Sequence, residues 1–214
     1  MIYLIGGPPK CGKTTLAKQL AKKLGIQWVA TDTLEVIGRE YIGRYTTKKE
    51  FARLYPHSAM KGKNNDETYA RATTQQIMKN LIAQARPTEG AIDMFSICEI
   101  TDGNDYIIEG YHVTPALAAR LMKKYGRKNF RVLFIVKRDI EKFVANVKKS
   151  STPNDWVIGG TKKQETFFKI GDMISRYGRW FEKEAGKYKF SVVNMDEDFE
   201  GKLNLAIQTV QNKK

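Results

Sequence analysis

The sequence predicts an α/β fold: a five-stranded parallel sheet with helices on both faces, an inserted helical region and a lid loop. Three observations lead there. Short, β-prone apolar runs recur along the 214 residues, separated by stretches whose apolar residues fall at helical spacing. The first run enters a glycine-rich loop that opens directly into a helix. Charged residues then fall at the ends of later runs, where open parallel sheets keep their ligands.

Residues 2–5, Ile-Tyr-Leu-Ile, form the first strand, short and apolar as a buried parallel strand should be. Gly6-Gly7-Pro8-Pro9-Lys10-Cys11-Gly12-Lys13-Thr14-Thr15 follows, and Gly7 to Thr14 fits G-x-x-x-x-G-K-[ST] without a gap. Leu16, Leu20, Ala21 and Leu24 then mark a helix, with Gly25 as the residue that ends it. This is the strand–loop–helix context of a P-loop. Gly7 and Gly12 let the backbone curl around a phosphate, and the N–H groups of the loop and helix start face the anion. Lys10, Cys11, Gly12, Lys13, Thr14 and Thr15 complete the nucleotide cradle. Lys13 is expected to bridge the β- and γ-phosphates, and the Thr14 hydroxyl to coordinate Mg²⁺. Pro8 and Pro9 have no N–H to offer, so they stiffen the crown of the loop. The Cys11 thiol itself reads as a small filler rather than a redox group.

Gln27 to Ala30 is the second strand, ending at Thr31-Asp32-Thr33. Residues 40–104 are the insertion: a Lys- and Tyr-rich stretch, a helix from Asp66 to Ala85, Pro87 as a break, and a further helix from Thr88 to Cys98 placed as a lid over an acceptor pocket. Tyr106 to Ile108 is the third strand, ending at Glu109-Gly110, and Phe130 to Val136 is the fourth. Residues 148–164, rich in Ser, Gly and Lys, are expected to be a mobile lid. The next helix carries Phe167, Ile170, Ile174, Tyr177 and Phe181 as a core stripe, and Phe190 to Val193 is the fifth strand. All of this fits a single domain spanning 1–214.

Composition narrows the function. An apolar fraction of 42% is that of a folded protein. Two cysteines rule out a disulfide framework or a zinc cluster, and no run is long and apolar enough for a membrane helix. The expected setting is the cytoplasm, with no membrane partner. The net charge of +14 suits an anionic ligand. Nucleic acid is the second reading of that charge, but the lysines are spread over the chain rather than gathered in one block. The absence of an Asn-Lys-x-Asp tetrad argues against a guanine-specific GTPase, and the absence of Leu-Ser-Gly-Gly-Gln against a transporter ATPase. The chain is also short for an AAA+ module.

Phosphoryl transfer needs alignment, Mg²⁺ and positive charge, so the candidates are carboxylates and cations at the strand ends. Asp32 has two readings, a functional carboxylate or an N-cap of the following helix. Glu109 is a strand-end carboxylate placed to orient the water shell of Mg²⁺. With Thr14, these two make the expected metal set. Arg138, Arg176 and Arg179 are candidate phosphate clamps, the last two on one helix face; surface solubility is their other reading. His112 reads first as a satisfied structural residue.

The order of P-loop, acidic strand end, inserted helices, hydrophobic strand ending in Glu-Gly and basic lid resembles the small P-loop kinases, including nucleoside monophosphate, shikimate and zeta-toxin-like kinases. The tract Glu109-Gly-Tyr-His-Val-Thr-Pro115 is similar to a segment of 2-phosphoglycerate kinase-like proteins. The resemblance implies the three-layer P-loop NTPase fold and transfer of the γ-phosphoryl group of ATP, with Mg²⁺, to a hydroxyl of a small anionic metabolite. It also implies that Asp32 receives the acceptor proton or holds a Mg²⁺-bound water. The lid lacks the arginines of nucleoside monophosphate kinases, which argues against a nucleotide acceptor. A nucleic-acid end kinase or ATPase, and a nucleotide-dependent switch, are the other function classes.

Overall fold

A computed structural model describes residues 1–149 and 155–211. Its centre is a parallel sheet in the order β2-β3-β1-β4-β5, built from β1 (Ile2–Gly6), β2 (Gln27–Ala30), β3 (Tyr106–Gly110), β4 (Phe130–Val136) and β5 (Ser191–Asn194). All four pairings are parallel, so every strand delivers its carboxyl end to the same edge of the sheet. β1 lies in the middle. Ile2, Leu4 and Ile5 are therefore fully buried, as are Ile107 and Ile108 of β3 and Leu133 to Val136 of β4. This is why these runs are continuously apolar rather than alternating.

Helices cover both faces. They are α1 (Lys13–Leu24), α2 (Thr31–Tyr45), α3 (Lys48–Leu54), α4 (Pro56–Met60), α5 (Asn65–Arg71), α6 (Thr74–Thr101), α7 (Pro115–Tyr125), α8 (Ile140–Lys148), α9 (Trp156–Gly160), α10 (Gln164–Lys187) and α11 (Phe199–Gln211). α1 ends as its sequence predicts: Gly25 adopts the left-handed conformation at φ 67°, and its N–H closes on the Ala21 carbonyl. The stripe on α10 is core throughout, with Ile170, Ile174, Tyr177 and Phe181 almost completely buried. No helix of the described residues is long and apolar enough to cross a membrane.

The insertion departs from expectation in two places. The helix expected from Asp66 to Ala85 is two helices. Ala72 is extended, and Thr73 restarts the chain with a capping box, its hydroxyl taking the Gln76 N–H while the Gln76 side chain takes the N–H of Thr73. Pro87 does not end α6, which runs 28 residues through it. Thr88, Ile92 and Ser96 are buried, so the second half of α6 is a core element and not a lid. Burial on both sides of the proline outweighs the one hydrogen bond it removes.

Of the expected lid, Ser150 to Asn154 lie outside the described residues. The remainder is anchored. Asp155 and Thr161 are buried polar residues flanking the short helix α9, and Val157 is fully buried. Asn65 donates to the Trp156 carbonyl at 2.8 Å and to Thr161 Oγ1 at 3.0 Å.

Candidate active site

The phosphate loop follows β1, at the edge where all five strands end. Gly7 has φ 141°, and a Cβ there would stand 2.0 Å from the Ile135 carbonyl of β4. Glycine at this position therefore serves the sheet crossing as well as the phosphate. Gly12, at φ 97°, begins α1, and a Cβ would meet the Phe199 ring at 2.8 Å. Between them Lys10 takes a left-handed φ of 61°, uncommon for a residue with a side chain. Its ammonium reaches Asp155 at 2.5 Å, tying the crown of the loop to the segment that opens α9. The Lys13 ammonium folds back on the Pro8 carbonyl at 2.6 Å, and Thr15 stands at the helix start. Cys11 is fully buried under the loop, and burial pushes its thiol up to about 11, in line with a filler rather than a nucleophile.

β3 brings Glu109 up beside this loop. Its carboxylate is buried and accepts the Thr14 hydroxyl at 2.8 Å. Burial raises its pKa against the opposing pull of the Lys13 charge and the Thr14 hydrogen bond. The tract after it has a physical job at every step. Gly110, at φ 154°, lets β3 pass Thr31, whose Oγ1 would be 1.7 Å from a Cβ. Tyr111 and His112 both turn to Glu35 of α2: Tyr111 donates to Oε2 at 2.9 Å, and His112 Nε2 lies 2.9 Å from the same oxygen. His112 Nδ1 meets Thr31 Oγ1 at 2.7 Å. Thr114 then caps α7 by accepting the Leu117 N–H, with Pro115 in its first turn. His112 is thus a fully buried, satisfied residue.

Asp32 is not an N-cap. α2 begins at Thr31 with Ala30 in the cap position, which leaves Asp32 in the first turn with a 72% exposed side chain. It lines a cavity of about 440 Å³ together with Lys13, Thr14 and Glu109, so the expected metal set shares one space. Thr14, Glu109 and Asp32 are hard oxygen donors of the kind Mg²⁺ takes. Asp32, Glu35 and His112 also bring donor atoms within 4.8 Å of one another. Both ring nitrogens of His112 and both oxygens of Glu35 are already engaged there, so that trio is a hydrogen-bonded support.

A second cavity, of about 520 Å³, lies on the other side of the loop between α8 and α11. Gly12, Thr15, Lys137, Asn146 and Phe199 line it, and Lys10, Lys13 and Thr14 line both cavities. The phosphate loop is the shared wall.

Arg138, Arg176 and Arg179 line neither cavity, which corrects their expected role. Arg138 faces Glu182 at 3.6 Å, and its backbone N–H donates to Asp196. Arg176 pairs with Asp172 at 2.7 Å. The face of α10 that carries Arg176 and Arg179 together is its solvent face, opposite the buried stripe. Beyond Lys10 and Lys13 of the loop, the cavity of Asp32 and Glu109 takes positive charge from Arg39 and Lys61, and its wall includes Glu35, His57 and Gln84, none of which the sequence singles out.

The fold is the three-layer P-loop NTPase fold. A family model described as ATPase family associated with various cellular activities (AAA) matches residues 3–92, the part that carries the phosphate loop. The 2-phosphoglycerate kinase of Pyrococcus horikoshii is 28% identical over 185 residues, 85% of this chain and 57% of the relative. The mevalonate-3-phosphate 5-kinase of Thermoplasma acidophilum is 26% identical over 124 residues, 58% of this chain and 56% of the relative. The chain therefore spans a little over half the length of these relatives. Among solved structures, a gluconokinase from Sinorhizobium meliloti superposes with a TM-score of 0.55 at 9% identity, covering 97% of this chain and 90% of that one. A shikimate kinase from Bacteroides thetaiotaomicron gives 0.52 at 12% identity, covering 99% and 96%. At such identities the likeness is one of fold.

Proposed function

We propose that the chain is an ATP- and Mg²⁺-dependent kinase that transfers the γ-phosphoryl group to a hydroxyl of a small, anionic metabolite, in a cytoplasmic setting. One observation carries this reading: the phosphate loop is the wall between two cavities, with Lys10, Lys13 and Thr14 facing both. A switch or simple ATPase needs a nucleotide site and room for water. A phosphotransferase needs a second compartment beyond the γ-phosphate, walled off from solvent and furnished for another molecule. Relatives named for phosphorylated acceptors, 2-phosphoglycerate and mevalonate 3-phosphate, point the same way.

In this reading the cavity of Phe199, Asn146 and Lys137 takes the nucleoside end of ATP, and the loop N–H groups hold its phosphates. Lys13 leaves the Pro8 carbonyl to bridge the β- and γ-phosphates. Thr14 and Glu109, with Asp32 facing them, would hold Mg²⁺, which neutralises charge on the phosphates when bound. Asp32, exposed into the acceptor cavity, accepts the proton of the attacking hydroxyl. Incubating the protein with γ-labelled ATP, Mg²⁺ and a pool of small hydroxylated acids, with Lys13→Ala in parallel, tests this. Label is expected on one small molecule and about 10³-fold slower in the variant, the scale on which a transition-state cation acts. Release of free phosphate alone would reject the kinase reading, and label on short RNA added to the pool would replace the acceptor class.

A further inference from the structure

We infer that Arg39, His57 and Lys61 form a subsite for one anionic group of the acceptor, and that Glu35 is the positioning residue that aims Arg39 into it. The inference rests on the two-cavity reading above and names the residues that would select the acceptor.

Arg39 lies one helical turn after Glu35 on α2, with a side chain two-thirds buried. Two helices hold it. Its Nε faces Glu35 Oε1 at 3.4 Å, and its Nη1 donates to Ser58 Oγ of α4 at 2.8 Å. The Nη2 edge has no partner among the described residues, and Arg39 lines the cavity. Glu35 in turn is fixed from three sides: Gln84 Nε2 donates at 2.7 Å, Tyr111 at 2.9 Å, and His112 Nε2 stands at 2.9 Å. Gln84 also accepts the Ser58 N–H at 2.8 Å, joining α2, α4 and α6 into one frame. Burial pushes the Glu35 carboxylate up, but the hydrogen bonds from His112 and Tyr111 and the charge of His112 and Arg39 pull it below its ordinary value. The side chain is an ionised anchor with its lone pairs in use. A guanidinium held at Nε and Nη1 with Nη2 open is oriented for an oxyanion without the entropy of searching for it.

His57 supplies the second observation. It lines the same cavity on α4, and its Nδ1 is buried with no hydrogen-bond partner. Orphaned buried polar atoms are uncommon and call for a partner. Burial, and then the nearby Lys61 charge, bring the ring down to about 4, so at neutral pH it is an uncharged ring with one N–H to donate. Lys61 lines the cavity beside it and has no ion pair among the described residues. Two cations beside an uncharged imidazole, in the wall of the cavity that the phosphate-loop residues also line, suit an oxyanion carried by the acceptor, a phosphate or a carboxylate.

The sequence contains two histidines, His57 in the cavity wall and His112 buried behind it. Ring signals from histidine-labelled protein therefore read the subsite separately from the core. The phosphate loop is first filled with Mg²⁺ and a non-hydrolysable ATP analogue, and inorganic phosphate or acetate is then titrated in. The expected result is a saturable shift of the His57 signals by at least one of the two, the tighter one naming the acceptor group. Affinity should fall at least ten-fold in Arg39→Ala and in Lys61→Ala, with Arg39→Lys between. Lys128→Ala, a cation removed far from the cavity, should titrate as the native protein does. Glu35→Gln should weaken binding in the native background and add nothing further in Arg39→Ala, a non-additivity that mere loss of stability would not give. Absence of a His57 shift with both anions, or undiminished affinity in Arg39→Ala, overturns the subsite. If no label moves from ATP to any acceptor while the titration still depends on Arg39, the kinase reading falls and the subsite stands.

Discussion

The two cavities flanking the phosphate loop are of similar size but were written into the chain in different ways. The side proposed for the nucleotide is furnished by residues close together in sequence, Gly12 to Thr15, with Phe199 and the start of the chain beyond β4 closing over them. The side proposed for the acceptor is assembled from distant pieces: Asp32 and Arg39 of α2, His57 and Lys61 around α4, Gln84 of α6, and Glu109 and Tyr111 from the end of β3. A phosphate is the same in every nucleotide, so its cradle is a short, local backbone shape. An acceptor has its own outline, and only side chains converging from several elements can match it.

The largest expected consequence falls where the two sides meet the chemistry. Asp32→Asn removes the proposed proton acceptor but keeps the shape of the cavity. Turnover should fall by about 10²-fold or more, with the ATP concentration at half-saturation little changed; a loss smaller than three-fold would take Asp32 out of the reaction. The next prediction separates the sides. Phe199 packs on Gly12 and floors the nucleotide cavity, with Lys137 5.8 Å above its ring. Phe199→Ala should raise the half-saturating ATP concentration about ten-fold, the scale of a lost aromatic contact, and leave that of the acceptor unchanged. Equal effects on both substrates would mean that the cavities are not separate compartments.

The third concerns stability on the acceptor side. His57 is held from its ordinary 6.5 down to about 4 by burial. A depressed value stabilises the fold above the ordinary one, and that stability drains away as pH falls through the folded one. Unfolding by urea should therefore show a decline between pH 6.5 and pH 4 of the order of 3 kcal/mol. His57→Asn should flatten this slope, while Glu35 contributes only further down, in the carboxylate range. An identical slope in the variant would show that His57 titrates freely. The smallest effect belongs to Arg176→Ala and Arg179→Ala, which should change turnover by less than about two-fold because both lie on the solvent face of α10; a ten-fold loss would restore them as clamps.

Legibility in the sequence follows the same division. β1, β3 and β4 were readable because a buried parallel strand is a contiguous apolar run, the edge strands β2 and β5 because they are short β-prone runs between helices, and the loop because its chemistry is local. Glu109 and Asp32 were singled out by strand-end position, Asp32 also by the resemblance, although the helix after β2 starts two residues sooner than an Asp32 cap requires. Pro87 misled because it is a strong local signal overruled by packing on both sides of α6. Three-residue spacing correctly put Arg176 and Arg179 on one face of α10, but spacing does not say which face meets the cavity. Arg39, His57 and Gln84 left no pattern at all, since their meeting depends on how α2, α4 and α6 pack. The one clue was the Glu-Gly-Tyr-His tract, two of whose side chains turn out to brace Glu35.

Cys11 gives the phosphate loop an internal clock. Its thiol is sealed beneath the loop and held protonated well above neutral pH, whereas Cys98, the other cysteine, is exposed on α6. A maleimide or iodoacetamide should consume Cys98 at once and reach Cys11 only when the loop lifts from the sheet. The slow phase of alkylation then counts those openings directly. Any ligand that settles on the loop should lengthen the interval between them, and an acceptor held only by the far wall should leave it unchanged.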